Sequence, residues 1–460
     1  MFLRSLRLEN IRTFDRFELS FERGGEPRPF TVILAENGCG KTTVLQAIAI
    51  AAVGATAANK LVRDASSYVD RRVAPPTTSD DLVAHIQATF GFDSTDTERD
   101  LPTVDEGDEA AARTSDLMSI ASVPFESKTF YGFGSFAKRP LSTSKVDLLA
   151  RARDTDARGW FVVGYGTSRT LPPPQWFPAI SARSIDRLQS LFTHAPLIAT
   201  AFADVLRQQL GDDVSRAYSK ALAEVLVGRE GTDGLLPASL VQQVVGFELR
   251  GQGGVRSSSE LLDAERFVLR VGGSELKLPA VWLSSGYQST IAWVADLLGH
   301  YALDMGRVVA PNEMRGIVLI DELDLHLHPR WQMQLVPSLR RIFPKLQFVA
   351  TTHSPLILPG LHRGEAIVFR AKADGRVAVD EPDDDPRLLT ASQLLREYFG
   401  VEGLYLNSVG SKLRRYEQLA AVAARTDEEE RELQELKRYL TELGVERSEE
   451  VERVSPGAAL

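Results

Sequence analysis

The run Phe30–Thr43, FTVILAENGCGKTT, leaves this chain few folds to choose from. Phe30 to Leu34 is an apolar, β-like stretch that leads into a Gly-bearing turn, and Val44 to Val53 then reads as a helix. Strand, glycine loop and helix in that order are the setting of a phosphate-binding loop. Gly38 and Gly40 let the backbone turn tightly, so that successive amides face an anion. The helix opening at Lys41 adds the positive end of its dipole. In that setting Ala35, Glu36, Asn37, Gly38, Cys39, Gly40, Lys41, Thr42 and Thr43 form the nucleotide cradle. Lys41 reaches the β- and γ-phosphates, and the Thr42 hydroxyl holds Mg²⁺. Ala35 stands where the pattern has its first glycine, a mild departure because alanine is the smallest replacement.

The chain has 460 residues, enough for a large core with one or two appended units. A hydrophobic share of 43% and a charged share of 25% are ordinary for a globular protein. No run of about 18 apolar residues suggests a membrane span. The start, MFLRSLRLENIRTF, alternates like a strand and has no signal-peptide core. A single cysteine excludes an intrachain disulfide and a multi-cysteine zinc site, which fits a reducing cytoplasm. The net charge of −9 gives no global attraction to nucleic acid. Arg4, Arg7, Arg12 and Arg16, and a second group at Arg151, Arg153 and Arg158, read as solvated faces.

Residues 1–180 read as the first part of a nucleotide-binding head, with polar loops at 93–116 and 139–158. Residues 181–244 read as a helical insertion, 245–372 as the second part of the head, and 385–460 as a helical tail. In the tail, Leu413, Tyr416, Ala420 and Ala423 share one helical face. Thr426 and Glu429 spell a capping box, Leu433, Leu436, Leu440 and Leu443 make a stripe, and Gly444 supplies a stop.

Three further stretches carry chemistry. Gly316–Pro329, GIVLIDELDLHLHP, is a buried strand ending in two carboxylates. Open α/β sheets bind ligands at that end of their strands. Asp321 suits a metal there, and Glu322 suits polarising an attacking water as general base. Alone, the pair is a strand running into an acidic turn; behind a phosphate loop it reads as the acidic motif of an ATPase. Leu346–Pro355, LQFVATTHSP, ends a second strand at the same edge, where His353 is placed to touch a γ-phosphate. Leu283–Gln288, LSSGYQ, opens an apolar helix and makes a second anion site by the same amide-and-dipole argument. One nucleotide needs one such loop, so Ser284, Ser285 and Gly286 suit the nucleotide of another subunit.

The ordered set AENGCGKTT, LSSGYQ, VLIDE and ATTHSP resembles an ABC-type ATPase head of the kind shared by SMC, RecF and OLD-family proteins. LSSGYQ resembles the ABC signature, with Ser285 in place of its first glycine and Tyr287 in place of Gln or Glu. His328 stands where a transporter-type D-loop has Asp, and no Gln closes the strand ending GYGTSR; Gln175 lies beyond a proline run. Arg169, just after that strand, is a candidate γ-phosphate or inter-subunit contact, and equally a surface arginine. The LDLHLHP block is similar to bacterial AAA-family, ABC-like ATPases, among them the ATPase subunits of Septu-type anti-phage systems and retron-associated ATPases.

The resemblance implies an α/β fold. The expected architecture is an ABC-type P-loop NTPase head with a mixed sheet flanked by helices and an antiparallel N-terminal β lobe. A helical insertion and a C-terminal helical hairpin complete it. It implies ATP and Mg²⁺ as ligands, and ATP hydrolysis that uses Lys41, Glu322 and His353, with metal at Thr42 and Asp321. It further implies self-association, as a head-to-head dimer or larger oligomer in which Ser284 and Gly286 act across subunits. A separate effector such as a nuclease is the implied partner. Direct DNA binding, as in a RecF-like repair ATPase, stays open as an alternative, as does a nucleotide-gated scaffold with little hydrolysis. The tail's helical spacing, without a carboxylate cluster, argues against a built-in nuclease domain.

Overall fold

The computed structural model describes residues 1–70, 83–92, 116–124, 127–132, 149, 160–171, 180, 183–229, 232–236, 244–248, 266–271, 274–279, 284–373, 375–401, 409–422 and 425–443. The polar loops expected at 93–116 and 139–158 fall almost wholly outside these residues, as do Arg151, Arg153, Arg158, Gln175, Ala423 and Gly444. The described chain divides into two units, Met1–Leu389 and Thr390–Leu460.

In the first unit, β1 (Phe2–Ile11) and β2 (Phe14–Ser20) form a hairpin. After β3 (Phe30–Ala35) and helix α1 (Lys41–Leu61), strands β4 (Val83–Gly91) and β5 (Asp116–Pro124) complete an antiparallel sheet ordered β2-β1-β4-β5. A register shift between Leu3 and Ser5 resets the side-chain alternation, so Leu3, Leu6 and Leu8 all point inward. The second sheet takes β3 into its middle. Its other strands are β6 (Val162–Tyr165), β10 (Gly316–Ile320), β11 (Leu346–Thr352), β12 (Ala366–Ala371) and β13 (Val377–Asp380). The order is β13-β12-β3-β11-β10-β6, parallel except for β13. Between β6 and β10 run α2 (Phe202–Leu210), α3 (Asp212–Val227), a three-stranded antiparallel sheet β7 (Val244–Glu248), β8 (Arg266–Val271) and β9 (Ser274–Pro279), and α4 (Ser285–Met305). Helix α5 (Pro329–Ile342) joins β10 to β11. This is the α/β P-loop NTPase architecture, with an antiparallel N-terminal lobe on a mixed sheet.

Helix α1 is apolar on every side because it lies between the two sheets. Val44, Leu45, Ile48 and Ala52 are all fully buried. Burying each large aliphatic side chain contributes about 1.5–3 kcal/mol. The helix is long and apolar enough to cross a membrane, yet it is the core helix of this unit, kinked where Gly54 takes φ 77°. Strand β5 was not apparent from the sequence, where its first residue reads as the end of a polar loop. Its inward positions hold Ser119, Ala121 and Val123, and the Ser119 hydroxyl donates to the Ala51 carbonyl of α1 at 2.7 Å. With a serine and an alanine at two of these three positions, the hydrophobic alternation is weak.

The α2 and α3 helices pack on α4, and one glycine lets them approach. A Cβ on Gly299 would lie 2.1 Å from Cγ of Phe202, whose ring is fully buried. A buried salt bridge, Arg187 to Asp304 at 3.1 Å, ties α4 to the segment after β6. In the second unit, α6 (Ala391–Phe399) and α8 (Asp427–Glu442) both start with capping boxes, at Thr390/Gln393 and Thr426/Glu429. Helix α7 (Val409–Ala421) pairs with α8 through Arg415–Glu432 at 2.7 Å and Lys412 above the Tyr439 ring at 3.6 Å. Leu419, Leu433 and Leu440 are buried there, whereas Ala420 and Leu443 face solvent. The expected stripes are therefore shifted on α7 and one turn shorter on α8.

Gly299→Ala gains about 1 kcal/mol in helix propensity but forces a methyl into a locked ring, which costs about 1–3 kcal/mol. The clash wins. Urea unfolding is expected to show net destabilisation, partly recovered when Phe202→Leu is added.

Candidate functional site

Every residue of β3 up to Leu34 is buried, so the strand cannot shift, and the loop leaves it at a fixed point. Gly38 and Gly40 take φ 84° and 82°, the left-handed region that favours glycine. At Gly40 a Cβ would also meet the Phe14 ring at 2.6 Å. Ala35 is the last residue of the strand, where extended backbone suits any residue. The missing first glycine therefore has no structural consequence. Glu36, Asn37 and Gly38 are exposed at the rim. Cys39 turns inward and packs in the core of the N-terminal lobe.

Lys41 is the first residue of α1, and its ammonium donates to the carbonyls of Ala35 and Glu36 at 2.9 and 3.0 Å. Burial lowers its pKa, opposed by nearby charges that include Asp321, Glu322 and Asp324. The Thr42 hydroxyl donates to Oδ2 of Asp321 at 2.7 Å, which joins the loop to the end of β10. Thr43 is engaged differently, its hydroxyl accepting from Nη1 of Arg12 at 3.0 Å. Arg12 also lies 4.1 Å over the Tyr68 ring, so it is not the solvated residue expected from its charge cluster; Arg7 and Arg16 are exposed as expected.

Thr351, on β11, holds both members of the acidic pair. Its hydroxyl donates to Oδ1 of Asp321 at 2.6 Å and accepts from the Glu322 amide at 2.8 Å. Glu322 needs holding, because its φ of 49° is left-handed, a conformation that costs a non-glycine residue about 1–3 kcal/mol. Arg169 supplies the rest. It is buried, and its guanidinium donates to the carbonyls of Asp321, of Glu322 at 2.8 Å and of Gly166 at 3.1 Å, and to the Ser289 hydroxyl of α4 at 3.2 Å. Burial lowers its pKa to about 10, against the pull of the three carboxylates, so it is a cation at neutral pH. Its side chain is directed into the protein rather than outward to a neighbouring subunit. The Thr351 and Arg169 roles rest on contacts between residues distant in sequence, which leave no mark in residue spacing.

Asp324 accepts from the Thr352 hydroxyl and from the His353 amide at 3.4 Å, which fixes His353, exposed, immediately after β11. Ser284 and Ser285 are exposed at the start of α4, and Gly286 is buried beneath the post-β10 loop. A Cβ at Gly286 would lie 2.3 Å from the His326 carbonyl, whose own residue has φ 62°. Tyr287 packs on Trp331 at 5.1 Å between ring centroids, and the indole N–H donates to the Leu235 carbonyl at 2.7 Å. The aromatic departure at Tyr287 thus has its partner in the HPRW segment. Lys41, Thr42, Asp321 and Glu322 come together at one sheet edge. Among the described residues, no hydrogen bond joins Ser284, Ser285 or Gly286 to the phosphate loop.

The paired oxygens of Thr42 and Asp321, beside a glycine cradle, are the hard donors that Mg²⁺ takes while keeping places for phosphate and water. The fold and this arrangement are those of an α/β P-loop NTPase, and they resemble an ABC-type ATPase head. The chain matches the family described as "AAA domain, putative AbiEii toxin, Type IV TA system" over residues 154–358 and the one described as "AAA domain" over 5–100. It is 26% identical over 412 residues to the Septu protein PtuA of Bacillus mycoides (strain KBAB4), covering 88% of this chain and 44% of that protein. It is 42% identical over 89 residues to the Retron Ec83 probable ATPase of Escherichia coli, covering 19% of this chain and 16% of that protein. An SMC head, solved bound to the C-winged helix domain of ScpA, aligns at TM-score 0.48 and 14% identity, over 83% of this chain and 98% of that one. The chain resembles the Septu and retron ATPases, and it spans less than half the length of these curated relatives.

Thr351→Val keeps the shape but removes one donor and one acceptor from buried partners. We expect a loss of about 1–3 kcal/mol in unfolding free energy, largely restored in Thr351→Ser.

Proposed function

We propose that this chain binds ATP with Mg²⁺ at the phosphate loop and hydrolyses it, and that nucleotide-driven pairing of two heads controls a separate effector in anti-phage defence. The observation that carries the hydrolytic part is the hydrogen-bonded relay Thr42–Asp321–Thr351–Glu322, which sets a carboxylate beside the phosphate cradle. Lys41 binds the β- and γ-phosphates. Thr42 and Asp321 hold Mg²⁺, which when bound neutralises charge on the phosphates. Glu322 accepts a proton from water as the water oxygen bonds to the γ-phosphorus. The bond from that phosphorus to the β–γ bridging oxygen breaks, leaving ADP and phosphate. His353 contacts the γ-phosphate, and Ser284 and Gly286 of a second copy close over it.

Arg169 acts as a positioning residue, holding the two carbonyls from which the acidic pair projects. The similarity to Septu PtuA and the retron ATPase supports the defence role and the separate effector. A chain with one cysteine and a net charge of −9 suits work in the cytoplasm without general affinity for nucleic acid.

Glu322→Gln is expected to lower turnover by about 10²–10⁴-fold while ATP still binds. Light scattering of this variant with ATP–Mg²⁺ should show the mass double. Retained turnover removes Glu322 from the role of base, and a constant monomer that binds ATP sinks the shared site. Arg169→Lys keeps the charge but loses the planar fork. Its kcat should fall by up to about 10²-fold through misplacement of the acidic pair, with ATP affinity nearly unchanged. An equal loss of ATP affinity would contradict a positioning role.

A further inference from the structure

The parallel strands have a second end, opposite the phosphate loop, and it carries an open cavity of about 500 Å³. The cavity lies where β3, β10 and β11 begin. Arg28 stands just before β3, Arg315 just before β10, and Lys345 just before β11. With Arg4 of β1 they place four cationic side chains among the described lining residues, against the single carboxylate of Glu26 there. The carboxylates that hold Arg4 and Arg28, those of Glu22 and Glu381, are not part of the lining.

Arg28 is the telling group. It is 7% exposed, its Nε donates to the Glu22 carbonyl at 3.1 Å, and its Nη2 donates to Glu381 at 2.7 Å. Its Nη1 is buried with no hydrogen-bond partner. A buried guanidinium nitrogen with unmet donors is unfavourable unless something accepts from it. Arg28 itself lines the cavity, and a turn of its side chain that brings Nη1, now out of reach of water, to the lining would let an oxyanion there accept from it; arginine's planar fork suits phosphate best. The volume is within the range of small-molecule sites. Phe92 adds an apolar wall.

We propose that this cavity is a second anion site, separate from the ATP site, for a phosphorylated ligand of about nucleotide size. β3 has six residues at about 3.3 Å each, which sets the two sites roughly 20 Å apart along the same strands.

The test uses the full chain carrying Lys41→Ala, which disables the phosphate loop, so that only the second site is read. Isothermal titration with inorganic pyrophosphate should show one ligand per chain. Adding Lys345→Glu or Arg315→Glu, both lining residues that keep contact with solvent, should weaken binding at least tenfold, with circular dichroism unchanged. Arg28→Met should abolish it, but Arg28 is also a buried ion-pair partner, so the two charge reversals decide the case. Absence of pyrophosphate binding, or affinity unmoved by both charge reversals, overturns the proposal. Once binding is seen, displacement by a 5′-phosphorylated trinucleotide but not its dephosphorylated form assigns the ligand to a nucleic-acid end. Failure of both to displace assigns it to a free phosphorylated metabolite.

Discussion

The carboxylate of Asp321 is gripped on both oxygens, by Thr42 from the phosphate loop and by Thr351 from the neighbouring strand. That double grip is what makes two separate strand ends into one site. It works only because β3, β11 and β10 are adjacent in the sheet, so that Leu34, Thr352 and Ile320 finish at one edge. The sheet order in turn rests on α1, whose buried faces seal the parallel sheet against the antiparallel lobe. A small misplacement of that helix would move Lys41 and Thr42 together, since they form its first turn.

The second theme is cation burial without carboxylate contact. Arg169 satisfies its donors mainly with backbone carbonyls, so its positive charge is left to face the field of Asp321, Glu322 and Asp324 rather than to neutralise any one of them. Leaving a buried cation in this state is costly in isolation. Here it offsets three nearby negative charges and supports a left-handed glutamate.

Much of this was legible in the sequence because the signals were local. Strand–loop–helix punctuation around Gly38–Lys41 and the apolar run ending at Asp321 each compress a structural requirement into a few adjacent residues. The signature-like segment was legible for the same reason, although the structure starts the helix at Ser285 and puts Gly286 inside its first turn. What escaped was carried by pairs distant in sequence. Thr351 looks like one more strand residue until its hydroxyl is seen between two acidic neighbours. Arg169 reads from the sequence as a γ-phosphate or inter-subunit contact or as a surface arginine, and neither reading gives its place on the carbonyls behind the acidic pair. Arg12 and Arg28 sit among charged residues, and nothing in their spacing separates them from the exposed Arg7 and Arg16. Strand β5 hid behind small inward residues that a helix, not a sheet, demanded.

Gly286 carries an implication for how this protein is dissected genetically. The space where its Cβ would sit is filled by the His326 carbonyl of its own chain. A substitution there deforms the folded subunit before any second copy is involved, so its phenotype would mix misfolding with any loss of the proposed pairing. Ser284 and Ser285, whose side chains face solvent at the same helix start, are the separable handles. Alleles at those two exposed serines would test the proposed pairing while the subunit itself is left whole.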